Sequence, residues 1–142
     1  MQKKLVILLS RQRSGTNALR SVLESHPKIH CFNEIMSYNP SDMARDDSYI
    51  AFARQKNADR FADPDQHIHI FDDFVQQLHQ MHDKDVTLID LKYNSCHHVS
   101  ARWQGLNELP LFNWIQAKDV PVIRLRRNNY LKVLVSDEIA NQ

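Results

Sequence analysis

Three short and almost purely apolar runs constrain this chain more than anything else in it. They are Lys4–Leu9 (KLVILL), Val86–Leu91 (VTLIDL) and Val120–Leu125 (VPVIRL). A strand with one wet face alternates apolar and polar residues, whereas these runs do not alternate, so they read as strands buried on both faces. Helical spacing lies between and after them. Leu19, Val22 and Leu23 share a face after the first run. Phe71, Phe74, Val75, Leu78 and Met81 mark a second helix just before Val86, Leu109, Phe112 and Ile115 a third, and Leu131, Leu134, Val135 and Ile139 a fourth. Strands separated by helices predict βαβ crossovers: an α/β fold of three layers, α/β/α, around a central parallel sheet.

The 142 residues suit one domain, 1–142. A formal net charge of +1 argues against a nucleic-acid binder, which needs a strong basic excess. Basic residues are nevertheless local: Arg11 and Arg13 near the start, and Arg124, Arg126 and Arg127 near the end. Such patches suit a small anionic ligand. Cys31 and Cys96 form no CxxC pair and read as free thiols in a reducing compartment. The run after Lys3 and Lys4 is too short for a signal peptide, and no stretch approaches a membrane span, which points to a cytoplasmic protein. The polar segment 37–69, with Pro40 and Pro64, reads as an insertion over the C-terminal edge of the sheet, with one helix near Ser48–Arg60.

The first strand runs through Arg13-Ser14-Gly15-Thr16-Asn17 into a helix that begins near Thr16. The first turn of such a helix has unbonded backbone N–H groups and a positive dipole end, an anion site. Gly15, one of two glycines in the chain, lets the backbone approach a phosphate; Ser14, Thr16 and Asn17 add donors and Arg13 a planar charged fork. An ordinary helix cap accounts for Ser14 or Thr16 but not for the whole set. A Walker A loop would need an earlier glycine and a lysine after Gly15, and both are missing, which disfavours a kinase or ATPase. The third run repeats the pattern. Arg124, Arg126 and Arg127 lead to the capping residues Asn128 and Asn129, and Ser136 lies about two turns into the next helix, a candidate second phosphate site.

With His26-Pro27 closing the first helix, the first string resembles the 5′-phosphosulfate loop of sulfotransferases and is most similar to the bacterial carbohydrate-type branch, which includes the trehalose and nodulation-factor enzymes. The resemblance implies a P-loop-like fold and a donor, 3′-phosphoadenosine 5′-phosphosulfate (PAPS), with no metal. It implies that Arg13 contacts the transferring sulfuryl group, and that Arg127 or Arg126 and Ser136 hold the 3′-phosphate. It implies a hydroxyl acceptor on a carbohydrate or glycolipid-type molecule. It also implies a chain short at its C-terminus, since members continue beyond the position of Gln142.

Sulfuryl transfer needs a base for the acceptor hydroxyl. Glu34, in Cys31-Phe-Asn-Glu-Ile-Met36, follows the first helix by a short connection and matches a glutamate of the bacterial branch; His97 and His98 are the other candidates. Lys92 ends the second apolar run, where strand ends face ligands, and resembles the family's second sulfate-contacting lysine. His67-x-His69 and His79-x-x-His82 lack the partners of a tetrahedral metal site. A non-catalytic nucleotide- or partner-binding domain on the same scaffold is the alternative function.

Overall fold

The computed structural model describes residues 3–56, 58–99, 109–129 and 132. The three apolar runs are strands β1 (Lys4–Ser10), β3 (Val86–Lys92) and β4 (Val122–Leu125), and a fourth strand, β2 (Ile29–Glu34), joins them. All pairings are parallel and the order is β2-β3-β1-β4. β1 and β3 lie in the centre, and their side chains are buried on both faces over most of their length, as unalternating sequences require; β4 departs from that expectation, being an edge strand whose Val122 and Ile123 are exposed. β4 begins two residues later than the apolar run suggests: the Pro121 carbonyl already accepts from Ile7 N, and Val120 N still bonds back to Ile115.

β2 was not legible because its sequence, IHCFNE, is polar at every second or third position. As an edge strand it needs only one covered side. It is also irregular. Cys31 pairs with Leu88, but Glu34 pairs with Asp90, so three steps on β2 match two on β3. The extra residue is a β-bulge, which re-aims the side chains beyond it. Without it, Glu34 would pair with Leu91 and share the face of Leu91; with it, Glu34 shares the face of Asp90.

The sheet separates two environments by the period-two alternation of its strands. One face carries Ile7, Leu9, Ile89 and Leu91 into the main core with Phe71, Phe74 and Leu78 of α5 (His67–Gln80) and Leu111 and Ile115 of α6 (Pro110–Ala117). The other face carries Ser10, Asp90 and Lys92 toward α1 (Thr16–Glu24). Helices therefore flank both faces of a parallel sheet, the expected α/β/α arrangement. On α1, Leu19 and Leu23 turn inward with Thr16 and Arg20, whereas Val22 is 68% exposed and does not share their face.

Segment 37–69 is more than an insertion over the edge. After α2 (Pro40–Met43), the expected helix at 48–60 is broken into α3 (Tyr49–Ala51), a π-helical turn (Phe52–Lys56) and α4 (Ala58–Phe61). Ser48 starts it, its hydroxyl accepting from Ala51 N, and Tyr49 N donates to Ile35 O at 2.8 Å. Tyr49 is fully buried, edge-on to Phe71 and Phe74 at 5.6 Å each. Aromatic burial of this kind fixes a polar-looking segment to the core, because each such side chain contributes roughly 1.5–3 kcal/mol.

Under β2, Thr87 takes hydrogen bonds with His79 Nδ1 (2.6 Å) and His82 Nε2 (2.9 Å), and His82 packs on His30. Burial and the positive neighbours His30, Lys3 and His79 push the His82 imidazole down to about 4 from 6.5. The folded state therefore refuses a proton that the unfolded chain accepts, so stability is fully present above pH 6.5 and falls as pH drops toward 4. His82→Gln is expected to flatten that acid limb in urea melts taken across this range. Limbs of equal slope in parent and variant would refute the assignment.

Candidate functional site

The loop after β1 turns on two left-handed residues, Arg13 (φ 59°) and Gly15 (φ 87°). A Cβ at Gly15 would meet nothing within 4 Å, so glycine is required there for its backbone conformation and not for room. Gly15 is the N-cap of α1, and no side chain caps that helix. The cap-only reading of Ser14 and Thr16 is thus not what the chain adopts. The N–H groups of the first turn point to the loop's mouth without a side-chain partner, and the Thr16 hydroxyl is used elsewhere.

That hydroxyl belongs to a buried cluster. Lys92 Nζ, at the end of β3, donates to Asp90 Oδ1 (2.7 Å) and Oδ2 (2.8 Å), to Thr16 Oγ1 (2.9 Å) and to Ser10 Oγ (3.2 Å). Lys92, Asp90, Ser10 and Thr16 are all buried. An ammonium has three protons. One shared by the two Asp90 oxygens and one for each hydroxyl uses them all. Since both hydroxyls accept from Lys92, their own protons are free to point away from it.

Arg20, one turn after Thr16, extends the cluster. Its Nε lies 3.6 Å from Asp90 Oδ2, and its terminal nitrogens reach Asn17 Oδ1 (2.6 Å), Asn33 Oδ1 and the Phe32 carbonyl. It ties α1 to β2 as well as to the carboxylate. Sequence reasoning did not single out Arg20 or Asp90. The available signal was spacing: Thr16 and Arg20 are four apart on one helix, and Asp90 and Lys92 two apart on one strand, so each pair shares a face.

Glu34, re-aimed by the bulge, enters the same space. Partial burial raises its carboxyl above the usual range; the nearby Lys92 charge pulls it down and Asp90 pushes it up. A cavity of about 700 Å³ at the C-terminal ends of the strands is lined by Arg13, Gly15, Thr16, Asn17, Glu34, Lys92 and Arg127, together with Arg20 and Asp90. Ser37, Asn39 and Asp42, from the segment after β2, form part of its wall.

Arg127 follows β4 and donates to the Arg13 carbonyl at 3.0 Å, so the second motif touches the first. It also lines a neighbouring pocket of about 290 Å³ with Ser14, Arg11, Arg124 and Arg126. Ser14 thus faces this second space and not the main cavity. Arg124 is within β4, as expected, yet it borders the same small pocket as Arg126. Ser136 lies outside the described residues. His97 and His98 do not border the Glu34 cavity; they line a separate pocket of about 410 Å³ with Tyr38, Phe61 and His67. Among the described residues, no three His, Cys, Asp or Glu side chains are grouped to hold a metal ion, and no helix is long and apolar enough to cross a membrane.

A family model described as "Sulfotransferase family" matches residues 6–111. The match begins within β1, contains the loop, Glu34 and Lys92, and ends before Arg127. Neither the curated proteins nor the solved structures gave a match to the chain. With the parallel sheet and the loop geometry agreeing with a model that spans most of its length, the chain belongs to the sulfotransferase family.

Proposed function

We propose that the chain transfers the sulfuryl group of PAPS to a hydroxyl of a carbohydrate or glycolipid-type acceptor. One observation carries this reading: Arg13, the uncapped start of α1, Glu34 and Lys92 border one cavity, and Arg127 joins it to a second basic pocket. PAPS has two separate phosphate groups, and the two pockets offer two separate anion sites. The 5′-phosphosulfate takes the N–H groups of the first turn of α1 with Gly15, Thr16 and Asn17. The 3′-phosphate takes Arg127, with Ser14 and Arg126 beside it and Ser136 as the serine of that motif.

Arg13 stabilises the sulfuryl oxygens as charge builds on them in transfer. Glu34 takes the proton of the acceptor hydroxyl. A general base works best with a pKa near the working pH, and the upward shift of Glu34 moves it in that direction. The acceptor reading is supported by the neighbouring pocket. Ser37 lines the main cavity and Tyr38, the next residue, lines the pocket with His97 and His98. Tyr38 meets His98 edge-on at 4.5 Å, Phe61 stacks on His67 at 4.6 Å, and burial with the His97 and Arg54 charges pushes His98 down to about 4, leaving it neutral near pH 7. Aromatic surfaces with a few polar edges suit the apolar face of a sugar ring.

The nucleotide is tested by calorimetry. Adenosine 3′,5′-bisphosphate is expected to bind more tightly than ATP; equal or better affinity for ATP would refute the donor assignment. Arg127→Ala is expected to weaken bisphosphate binding by ~1.5–3 kcal/mol, the value of a charged hydrogen bond, and Arg124→Ala by less. Equal losses would show that Arg124 shares the phosphate.

The chemistry is tested by turnover against donor affinity. Arg13→Ala is expected to lower turnover by ~10²–10³ and to weaken donor binding too. Glu34→Gln is expected to lower turnover by ~10²–10⁴ with donor affinity nearly intact. Because the Glu34 carboxyl must be ionised to accept a proton, activity should rise with pH through a limb above the ordinary carboxylate range, and Glu34→Gln should abolish that limb. A variant that keeps both rate and limb would refute Glu34 as the base.

A further inference from the structure

The four oxygens around Lys92 Nζ are the set that a small hard cation takes at a phosphate-binding loop. In P-loop nucleotide hydrolases a divalent ion is held by a hydroxyl of the loop and by an aspartate on a nearby strand. Here Thr16 supplies a hydroxyl at the start of the loop's helix, Ser10 a second at the end of β1, and Asp90 the carboxylate on β3, the strand paired with β1. Between them lies an ammonium, with oxygens at 2.7 to 3.2 Å. We propose that Lys92 is a built-in monovalent cation occupying a divalent-cation position, and that removing its amine uncovers a Mg²⁺- or Mn²⁺-binding site made of Asp90, Thr16 and Ser10.

Three observations bear on this. The position is buried: Lys92 is 4% exposed and Asp90 1%, so a carboxylate is already desolvated there and needs a positive partner. Arg20 cannot replace that partner, because its Nε stands 3.6 Å away and its other nitrogens are committed to Asn17, Asn33 and Phe32. The hydroxyls orient correctly for either cation. Both offer lone pairs inward, as their hydrogen bonds from Lys92 show, and Thr16 also borders the cavity that Arg13 and Glu34 line. A tethered ammonium gives the cavity a fixed positive charge that chelators cannot remove. A divalent ion would carry twice that charge but would have to be drawn from solution.

The consequence is a nucleotide site independent of divalent metal in the parent and dependent on it in a Lys92→Ala variant. The full chain is titrated with Mn²⁺, with free ion read by electron paramagnetic resonance. It is then titrated with adenosine 3′,5′-bisphosphate in chelator and in Mn²⁺. The parent is expected to show the same bisphosphate affinity in both. Lys92→Ala is expected to bind Mn²⁺, to lose nucleotide affinity in chelator, and to regain at least about tenfold of it with Mn²⁺. Adding Asp90→Asn should abolish Mn²⁺ binding. If Lys92→Ala folds only with Mn²⁺, the ion is filling the vacated position and the proposal stands. Failure to fold with or without Mn²⁺, a folded variant indifferent to Mn²⁺, or a parent whose affinity rises tenfold with Mn²⁺ would each overturn it. The Mn²⁺ titration without nucleotide does not depend on the donor being PAPS. A parent that ignores the bisphosphate would refute the donor reading and leave this test standing.

Discussion

The Lys92–Asp90 ion pair is the contact on which the rest of the site depends. It lies where β1, β3 and α1 meet, and it is closed on all sides by Ser10, Thr16 and Arg20. Two buried charges cost more to desolvate than their attraction returns unless every remaining hydrogen-bonding position is filled. Here the ammonium's three protons are all used, and Asp90 has a second cation close by. Such a pair contributes little net stability as a unit, yet losing one member strands the other in a dry environment, typically at ~3–5 kcal/mol. Its value is positional: it fixes where the first turn of α1 stands relative to the strand ends.

The electrostatics of the cavity follow from that pair. Lys92 neutralises Asp90 locally, and Arg13, Arg127 and the end of the α1 dipole add further attraction for an anion. Glu34 faces this field from the opposite strand. Its carboxyl is pulled two ways, by burial and Asp90 upward and by Lys92 downward, and the upward influences win. Asp90 matters to this balance, since without it the Lys92 charge would pull more strongly on Glu34 and hold it ionised at lower pH.

Much of the fold was legible because β1 and β3 are buried on both faces, and sequences under that demand carry few polar residues. The turn into α1 was legible because Gly15 answers a local requirement, a left-handed backbone. β2 was not, since an edge strand tolerates His30, Asn33 and Glu34 without penalty. Tyr49 was hidden for a related reason: one aromatic residue in a polar segment is enough to anchor it once Phe71 and Phe74 stand ready, and nothing in the local pattern announces them. Asp90 was inside an apolar run, where it read as an interruption. Its partner, Lys92, was visible, but the pairing needed β1 and α1 in place before it had a purpose. Ser14 shows the limit of motif reading within a loop, because adjacent residues of one string face different pockets.

The bulge in β2 makes the direction of Glu34 a matter of counting. Side chains on a strand have only two orientations, and the extra residue between Cys31 and Glu34 chooses between them. Deleting the one extra residue would turn the three steps into two and leave the glutamate opposite Asp90, on the same face, with the strand made regular. Deleting two would set it opposite Ile89, about 3 Å further back along the strand and turned into the hydrocarbon packing around Phe71. The bulge is therefore one residue of slack in this short strand. The strand can give up that slack and still present a carboxylate to the loop, and one residue fewer reverses its aim.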